Sequence, residues 1–280
     1  MAAKKSTMFF SCLIIIAFLF LRFAKCTYAY SEKNFYITNM TIPAVLGAIK
    51  AYYEGTPIPR AFFQGAFGGF MMQEGLKGIA NAENKSSGYA WRNKIIFNIG
   101  SSLAECAGSK DTVFRMDMGP VWLTFKDNKV KYQLGLNSTV VVLSHFIEGS
   151  KIDFKRSFKY GTFAFEKKCN KDGTLLGSSA LAYSNANIIT TNSDGEHAGH
   201  ELTHTFQYRR DMMSPLKLSN VIPRFRERIG DLWFDDTGWT ANWGLQCAWA
   251  DIRHKDKSFE IPLEKEAYWL EGKYKTNYNN

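Results

Sequence analysis

Histidine is scarce in this chain, with five residues among 280, and so are cysteine and proline, with five and seven. So few cysteines exclude the small disulfide-rich domains, whose folds depend on several bridges. Hydrophobic residues make up 45% of the sequence, which is enough to bury a sizeable core. We therefore expect a globular protein, neither disordered nor stapled by disulfides.

The cysteines do not have the spacing of a metal site. Cys12 lies in an apolar run, and the other four stand far apart at Cys26, Cys106, Cys169 and Cys247. This spacing matches no zinc ribbon. Two interpretations stay open: a disulfide between Cys169 and Cys247, or buried free thiols, which we favour.

Long hydrophobic runs are absent apart from one near the N-terminus. Lys4 and Lys5 precede an apolar run at 8–21, which is short for a membrane span of about 20 residues. The pattern predicts a signal peptide at residues 1–29, with an uncleaved signal anchor as the alternative. We therefore expect export to the periplasm, the cell envelope or the extracellular space.

Charge of one sign is not in large excess either. The formal net charge is +9, but four basic residues lie in the predicted targeting segment, which leaves 31 basic against 26 acidic residues. These basic residues are scattered among acidic ones and form no stripe interleaved with aromatic residues. The sequence therefore predicts no nucleic-acid partner.

The hydrophobic pattern changes along the chain from helical to alternating and back. Apolar residues recur at helical spacing in three segments: 42–53, 61–82 and 91–107. Alternating and β-branched runs then predict strands at 113–118, 121–125, 130–136, 139–146, 152–165 and 175–190. Short connections between them favour a largely antiparallel sheet. A helix from residue 197 and another near 262–273 complete the pattern.

These patterns predict an α+β fold with one domain at 30–280. It would consist of a helical part at 40–108, a strand-rich part at 111–190 and metal-site helices at 197–275. The segment 61–82 combines glycines with phenylalanines, a composition that suits close helix packing or a membrane-surface contact. We favour packing, because polar residues interrupt the apolar run, and keep membrane contact as the alternative.

The most informative motif is the segment 199–207, Gly-His-Glu-Leu-Thr-His-Thr-Phe-Gln, which contains HExxH. Residues four apart share one face of a helix, so His200 and His204 can both bind one Zn²⁺. Glu201 lies about 100° around the helix and would reach the water that the metal activates. The opposite side of the helix is apolar and carries Ala198, Leu202 and Phe206.

A catalytic zinc site needs a third protein ligand and an open position for water. No histidine stands where the longer HExxHxxGxxH pattern has one, and His197 is more typical of a helix start. The downstream segment 262–268 contains two carboxylates, Glu264 and Glu266, which face different directions on a helix. At this point either of them can be the third ligand.

The HELTH motif followed by Gln207, together with Glu264-Lys265-Glu266-Ala267, resembles the gluzincin metallopeptidases. In that family the earlier Glu of a downstream Glu-x-Glu-Ala element binds zinc, which implies Glu264 as the ligand and Glu266 as the alternate. Those relatives often carry Asp after the Ala, where this chain has Tyr268. A wider stretch at 60–275 resembles uncharacterised exported HExxH proteins of Bacteroidota-type bacteria.

The resemblance implies a zinc metallopeptidase that acts on a peptide or protein substrate. Zn²⁺ would be held by His200, His204 and Glu264, and Glu201 would serve as the general base for an activated water. The alternative is a non-catalytic exported or membrane-associated envelope protein with a structural zinc site. Glu201 separates the two hypotheses, because a structural site has no need of a general base.

Overall fold

The computed structural model describes residues 32–168, 170, 175, 182–192, 197–211, 231–237 and 262–271, which contain seven helices and eight short strands. The helices are α1 (Glu32–Glu54), α2 (Ile58–Ala80), α3 (Ser87–Cys106), α4 (Leu136–Ile147), α5 (Phe154–Tyr160), α6 (Ala198–Asp211) and α7 (Pro262–Leu270). The strands are β1 (Phe114–Met118), β2 (Val121–Lys126), β3 (Lys129–Gly135), β4 (Lys151–Ile152), β5 (Phe163–Glu166), β6 (Tyr183–Asn185), β7 (Ile188–Thr191) and β8 (Trp233–Phe234). The α+β class predicted from the sequence is confirmed.

The first three helices form a layer in which α2 packs between α1 and α3. Pro57 precedes α2, where a missing N–H group is harmless, and Ser86 caps α3 by accepting the backbone N–H of Tyr89 at 3.3 Å. The helices predicted at the three N-terminal segments are therefore confirmed. The first of them begins earlier than predicted, at Glu32, and runs through Pro43.

The glycines of α2 lie where this helix meets its two neighbours. A methyl group at Gly65 or Gly69 would overlap the backbone of α1, and one at Gly68 or Gly75 would overlap α3. The close-packing prediction for this segment is therefore confirmed. The same helix turns its large aromatic side chains to the outside, at Phe62, Phe63, Phe67 and Phe70.

The strands form two four-stranded sheets with the orders β1-β2-β3-β8 and β4-β5-β7-β6. Pairings β3–β8 and β5–β7 are parallel and the other four are antiparallel, so the arrangement is mixed rather than one antiparallel sheet. The first three predicted strands are confirmed. Asp127 and Asn128 turn the β2–β3 hairpin with φ of 51° and 57°, as a two-residue turn with left-handed positions requires.

The predicted strand at 139–146 is wrong, because this segment lies in α4. The carboxylate of Asp236 accepts the backbone N–H groups of Asn137 at 2.6 Å and Ser138 at 3.0 Å. These are first-turn N–H groups without partners inside the helix, so a residue about 100 positions away caps α4. The β-branched run Val140-Val141-Val142 is therefore helical through a tertiary contact that local propensity does not reveal.

The predicted strand at 152–165 is also wrong in its middle, where α5 separates β4 from β5. Asp153 caps α5 by accepting the N–H of Arg156 at 2.9 Å, and Gly161 ends the helix with φ of 62°. An Asp before the segment and a Gly after it were visible signals of a short helix. Of the predicted strand at 175–190, the end forms β6 and most of β7, and 176–181 lies outside the described residues.

The helix α6 lies between two apolar clusters. One side contributes Leu202 and Phe206 to a cluster with α2, α3 and Ile189 of β7. The other side contributes Tyr208 to a cluster with Trp122 and with buried residues of α4, β5 and β7. The α6 helix is therefore held by both the helical layer and the sheets.

A buried ion pair connects α3 to the first sheet. Lys94 Nζ lies 2.9 Å from Asp117 Oδ2, which also accepts a hydrogen bond from the Asn187 side chain at 2.6 Å. Burial alone would raise the pKa of Asp117, but the charge and hydrogen bond of Lys94 outweigh it and lower that pKa. The pair therefore remains charged in the interior.

The predicted targeting segment 1–29 and the cysteines Cys169 and Cys247 lie outside the described residues. Cys106 is a buried free thiol whose pKa is raised by burial. Among the described helices, none combines the length and the hydrophobicity needed to cross a membrane.

We predict that Gly69→Ala lowers the stability of the protein by about 2 kcal/mol, because the added methyl group meets the backbone of Asn39 and Met40. This cost exceeds the gain of about 1 kcal/mol that alanine offers in a helix. Gly88→Ala is the matched control, since its methyl group would meet open space at the start of α3. Denaturant unfolding of both variants checks this, and equal stabilities would contradict the close packing.

Candidate metal centre

The HExxH segment forms α6, as its spacing predicts. His197 stands just before the helix with φ of 65°, and its carbonyl accepts the N–H of Glu201 at 3.1 Å. His197 is thus a helix-start residue. The predicted apolar back of α6 is confirmed, because Ala198, Leu202 and Phe206 belong to one buried cluster.

Three side chains converge in front of α6, and they are the three proposed ligands. His200 Nε2 lies 3.1 Å from His204 Nε2 and 3.1 Å from Glu264 Oε2, and His204 Nε2 lies 3.3 Å from Glu264 Oε1. Ligand atoms about 2.0–2.2 Å from a tetrahedral zinc ion lie roughly 3.3–3.5 Å apart. The spacing of these atoms therefore fits a small metal ion bound among them.

The protonation of His204 follows from its neighbour Gln207. The amide nitrogen of Gln207 donates to Glu266 Oε2 at 2.9 Å, so the amide oxygen faces His204 Nδ1 at 2.7 Å. An amide oxygen accepts hydrogen bonds, and His204 must therefore carry its proton on Nδ1. Its Nε2 then presents a lone pair to the cluster, as a metal ligand requires.

His200 also faces an acceptor with its Nδ1 atom, namely the carboxylate of Glu271. Its Nδ1 lies 3.5 Å from Glu271 Oε2, which is within ion-pair distance but long for a hydrogen bond. Burial alone would lower the pKa of His200, but Glu264 and Glu271 outweigh it and raise that pKa to about 10. The site thus attracts a cation between His200 and Glu264.

The cluster pairs two imidazoles with one carboxylate. Against the effect of burial, contacts with Glu264 raise the pKa of both His200 and His204, so protons or a metal ion can neutralise this carboxylate. Burial opposes the charge of Glu264, yet its contacts with His200 and His204 outweigh burial and lower its pKa. An ionised carboxylate and two imidazole nitrogens are a donor set typical of zinc.

The structure distinguishes the two carboxylates that the sequence left as alternatives. Glu264 joins the cluster, whereas Glu266 is buried beside Arg210, whose Nη1 lies 2.8 and 2.9 Å from its two oxygens. Glu266 also accepts hydrogen bonds from Gln207 and from Asn39 of α1. Its oxygens thus accept four hydrogen bonds from three side chains, and its connection to the cluster runs through Gln207 to His204.

Glu201 lies beside the three converging residues without being one of them. This residue is 7% exposed, interacts electrostatically with both histidines and lies near the Ser184 side chain of β6. Burial raises the pKa of this carboxyl group, and the nearby histidines oppose that shift. A buried carboxylate next to a metal site is suited to accept a proton.

The two tyrosines near the motif occupy different surroundings. Tyr208 is fully buried one helical turn beyond His204, and its hydroxyl donates to the backbone carbonyl of Asp236 at 2.5 Å. The ring of Tyr268 lies 4.5 Å from that of His200. Tyr268 therefore lines the site at the position where many gluzincins carry an acid.

Four residues that contact the site residues were not assigned from the sequence: Ser184, Arg210, Glu271 and Asn39. Their distances along the chain from the motif give no periodic signal, apart from Arg210, which lies on the same helix. Gln207 was noted in the motif without a role, and its spacing of three from His204 is the signal that could have indicated contact.

Comparisons with known protein families, with curated proteins and with solved structures find no match to this chain. The interpretation of the site therefore depends on the residues and their geometry.

We predict that the purified chain binds one zinc ion and that His204→Ala and Glu264→Ala each abolish this binding. His197→Asn is the control, because asparagine tolerates the left-handed backbone at this position and His197 is not part of the cluster. Elemental mass spectrometry after dialysis measures the stoichiometry. A parent chain without bound metal would contradict a metal site here.

We predict that Gln207→Met weakens zinc binding by about 10- to 100-fold, because it removes the acceptor that fixes the proton of His204. Competition with a chromogenic chelator measures the affinity. Thr205→Val is the matched control on the same helix, since the Thr205 hydroxyl donates to its own helix at the Leu202 carbonyl. Equal affinities for both variants would show that Gln207 does not orient the histidine.

Proposed function

We propose that this chain is an exported zinc-dependent peptidase of the gluzincin type. The observation that supports this most directly is the convergence of His200, His204 and Glu264, with Glu201 buried beside them. Among the described residues, three side chains converge as candidate ligands, and the side chain of Glu264 is 23% exposed. Three protein ligands with access from solvent are the arrangement of a catalytic site, whereas a structural zinc site is closed by four.

The residues of the chain then have separate roles. His200, His204 and Glu264 hold the ion, and Gln207 and Glu271 orient the two imidazoles through their Nδ1 atoms. When bound, zinc would supply Lewis-acid activation of a water molecule and of the substrate carbonyl. Buried side chains surround the site, and electrostatic interactions are stronger in such an environment than in water.

Glu201 is the proposed general base. It would accept the proton of the attacking water at its carboxylate and pass that proton to the amine that leaves. The helix fixes its backbone, and Ser184 of β6 lies beside the carboxylate.

The strand that carries Ser184 also supports a peptide as the substrate. Within the described part of the chain, β6 is the outer strand of its sheet and packs next to α6. An extended peptide can pair with an outer strand through main-chain hydrogen bonds, largely independently of its sequence. A substrate bound in this way would lie along the strand that contacts Glu201.

We predict that Glu201→Gln lowers peptide hydrolysis by about 10²- to 10⁴-fold while zinc stoichiometry stays the same. Glutamine has the same shape but does not accept the proton. A mixture of quenched fluorescent peptides measures activity, and elemental analysis measures zinc.

The control for this test is the parent chain after its metal is removed by chelation and then restored. Loss and recovery of activity would link hydrolysis to the metal. A parent chain that binds zinc but cleaves no peptide in the mixture, with Glu201→Gln indistinguishable from it, would instead favour the structural zinc site of an envelope protein.

A further inference from the structure

The outer surface of α2 carries a stripe of exposed aromatic side chains, here named the aromatic face and consisting of Phe63, Phe67 and Phe70. These side chains are 69%, 56% and 38% exposed, and they are spaced by four and three residues, which places them on one side of the helix. The rings of Phe67 and Phe70 stack at 6.4 Å. Large exposed apolar surfaces of this kind mark interaction sites.

The surroundings of the aromatic face add apolar surface and positive charge. Met71 approaches Gly100 of α3, and α3 also carries the exposed side chains of Ile95 and Ile99. The exposed residues Arg60 and Lys77 stand toward the two ends of α2. No acidic residue occurs at 58–73, but Glu74 stands one turn after Phe70 on the same side of α2, half-buried and hydrogen-bonded to the Tyr36 hydroxyl.

We propose that the aromatic face docks on the surface of a lipid bilayer that contains anionic lipids. Phenylalanines inserted at the level of the headgroups, with arginine and lysine near the phosphates, are typical of interfacial helices. A contact of this kind lies on the membrane, which agrees with the described helices being unable to cross it. The proposal does not depend on the zinc site.

The path of the chain favours a bilayer as the occupant. The apolar run at 8–21 ends 11 residues before Glu32, where α1 begins, and such a connection spans at most about 40 Å. The first turns of α1 pack beside the aromatic face, where the Tyr36 ring lies 6.0 Å from that of Phe70. If residues 8–21 are the uncleaved signal anchor, the alternative to the predicted signal peptide, this connection would hold the aromatic face close to the lipid.

A second exposed apolar surface provides the comparison. Ile147 of α4 and Phe154 and Phe158 of α5 are 87%, 77% and 74% exposed. This region contains the acidic residues Glu148 and Asp153 and the basic residues Lys151, Lys155, Arg156 and Lys159, so its charge does not distinguish it from the aromatic face. Its helices pack on the sheets and on α3, and nothing there connects it to the start of α1. This second surface also exposes large apolar side chains, but it does not lie beside the start of α1.

The test places a photoreactive residue on each surface of the full chain. We compare Phe67→p-benzoylphenylalanine with Phe154→p-benzoylphenylalanine, irradiated with vesicles of phosphatidylcholine and phosphatidylglycerol, and measure lipid adducts by mass spectrometry. The expected result is roughly tenfold more adduct at position 67 than at position 154, because a headgroup-level helix contacts acyl chains continuously. Phe63→p-benzoylphenylalanine repeats the measurement if the variant at 67 does not fold.

Three outcomes would overturn the proposal. Equal lipid adducts at positions 67 and 154 would mean that contact is not selective for the aromatic face. An absence of adducts at both 67 and 63 in folded protein would exclude lipid contact. A cross-link from position 67 to a second copy of the chain would identify this surface as a self-association interface.

Discussion

The arrangement of the candidate metal centre depends on the burial of α6, a helix that is polar in sequence and yet enclosed by the helical layer and the sheets. Each buried polar side chain without a partner costs about 1–3 kcal/mol. The helix meets most of this requirement through separate elements: Arg209 Nη1 pairs with Glu105 of α3, Arg210 with Glu266 of α7, and Tyr208 donates to the carbonyl of Asp236. Two other nitrogens of Arg209, Nε and Nη2, have no hydrogen-bond partner among the described residues. The positions of α3, α7 and Asp236 are thus linked to the polar side chains of α6 with which they pair.

The need to pair buried polar groups also determines the chemistry of the cluster of His200, His204 and Glu264. Arg210 and Asn39 occupy Glu266, Glu266 orients Gln207, and Gln207 places the proton of His204 on Nδ1. Each step follows from which atoms can donate and which can accept. At the end of this relay, the Nε2 atoms of two imidazoles face an ionised carboxylate, an arrangement that a divalent cation in place of protons would stabilise. A polar network that specifies the buried helix therefore also prepares the site for a metal.

The sequence predicted the parts of the site that lie on one helix and not those that depend on tertiary contacts. The i, i+4 spacing of His200 and His204 follows from helical geometry alone, and so does the apolar back of α6. The choice between Glu264 and Glu266 needed the positions of Arg210 and Asn39, which lie 54 or more residues away along the chain. The same limit explains α4, whose β-branched residues are helical because Asp236 caps the first turn from a distant segment.

The helix α2 connects the two surfaces to which we assign roles. Its inner side carries the glycines that contact α1 and α3, and Gln73, which accepts a hydrogen bond from the same Asn39 that contacts Glu266. Its outer side carries the aromatic face. Because backbone contacts at the glycines leave little room for α2 to shift, a bilayer on its outer side would orient the molecule without deforming the relay behind it. Membrane contact and metal binding are therefore compatible within one helical layer, and each can be lost without the other.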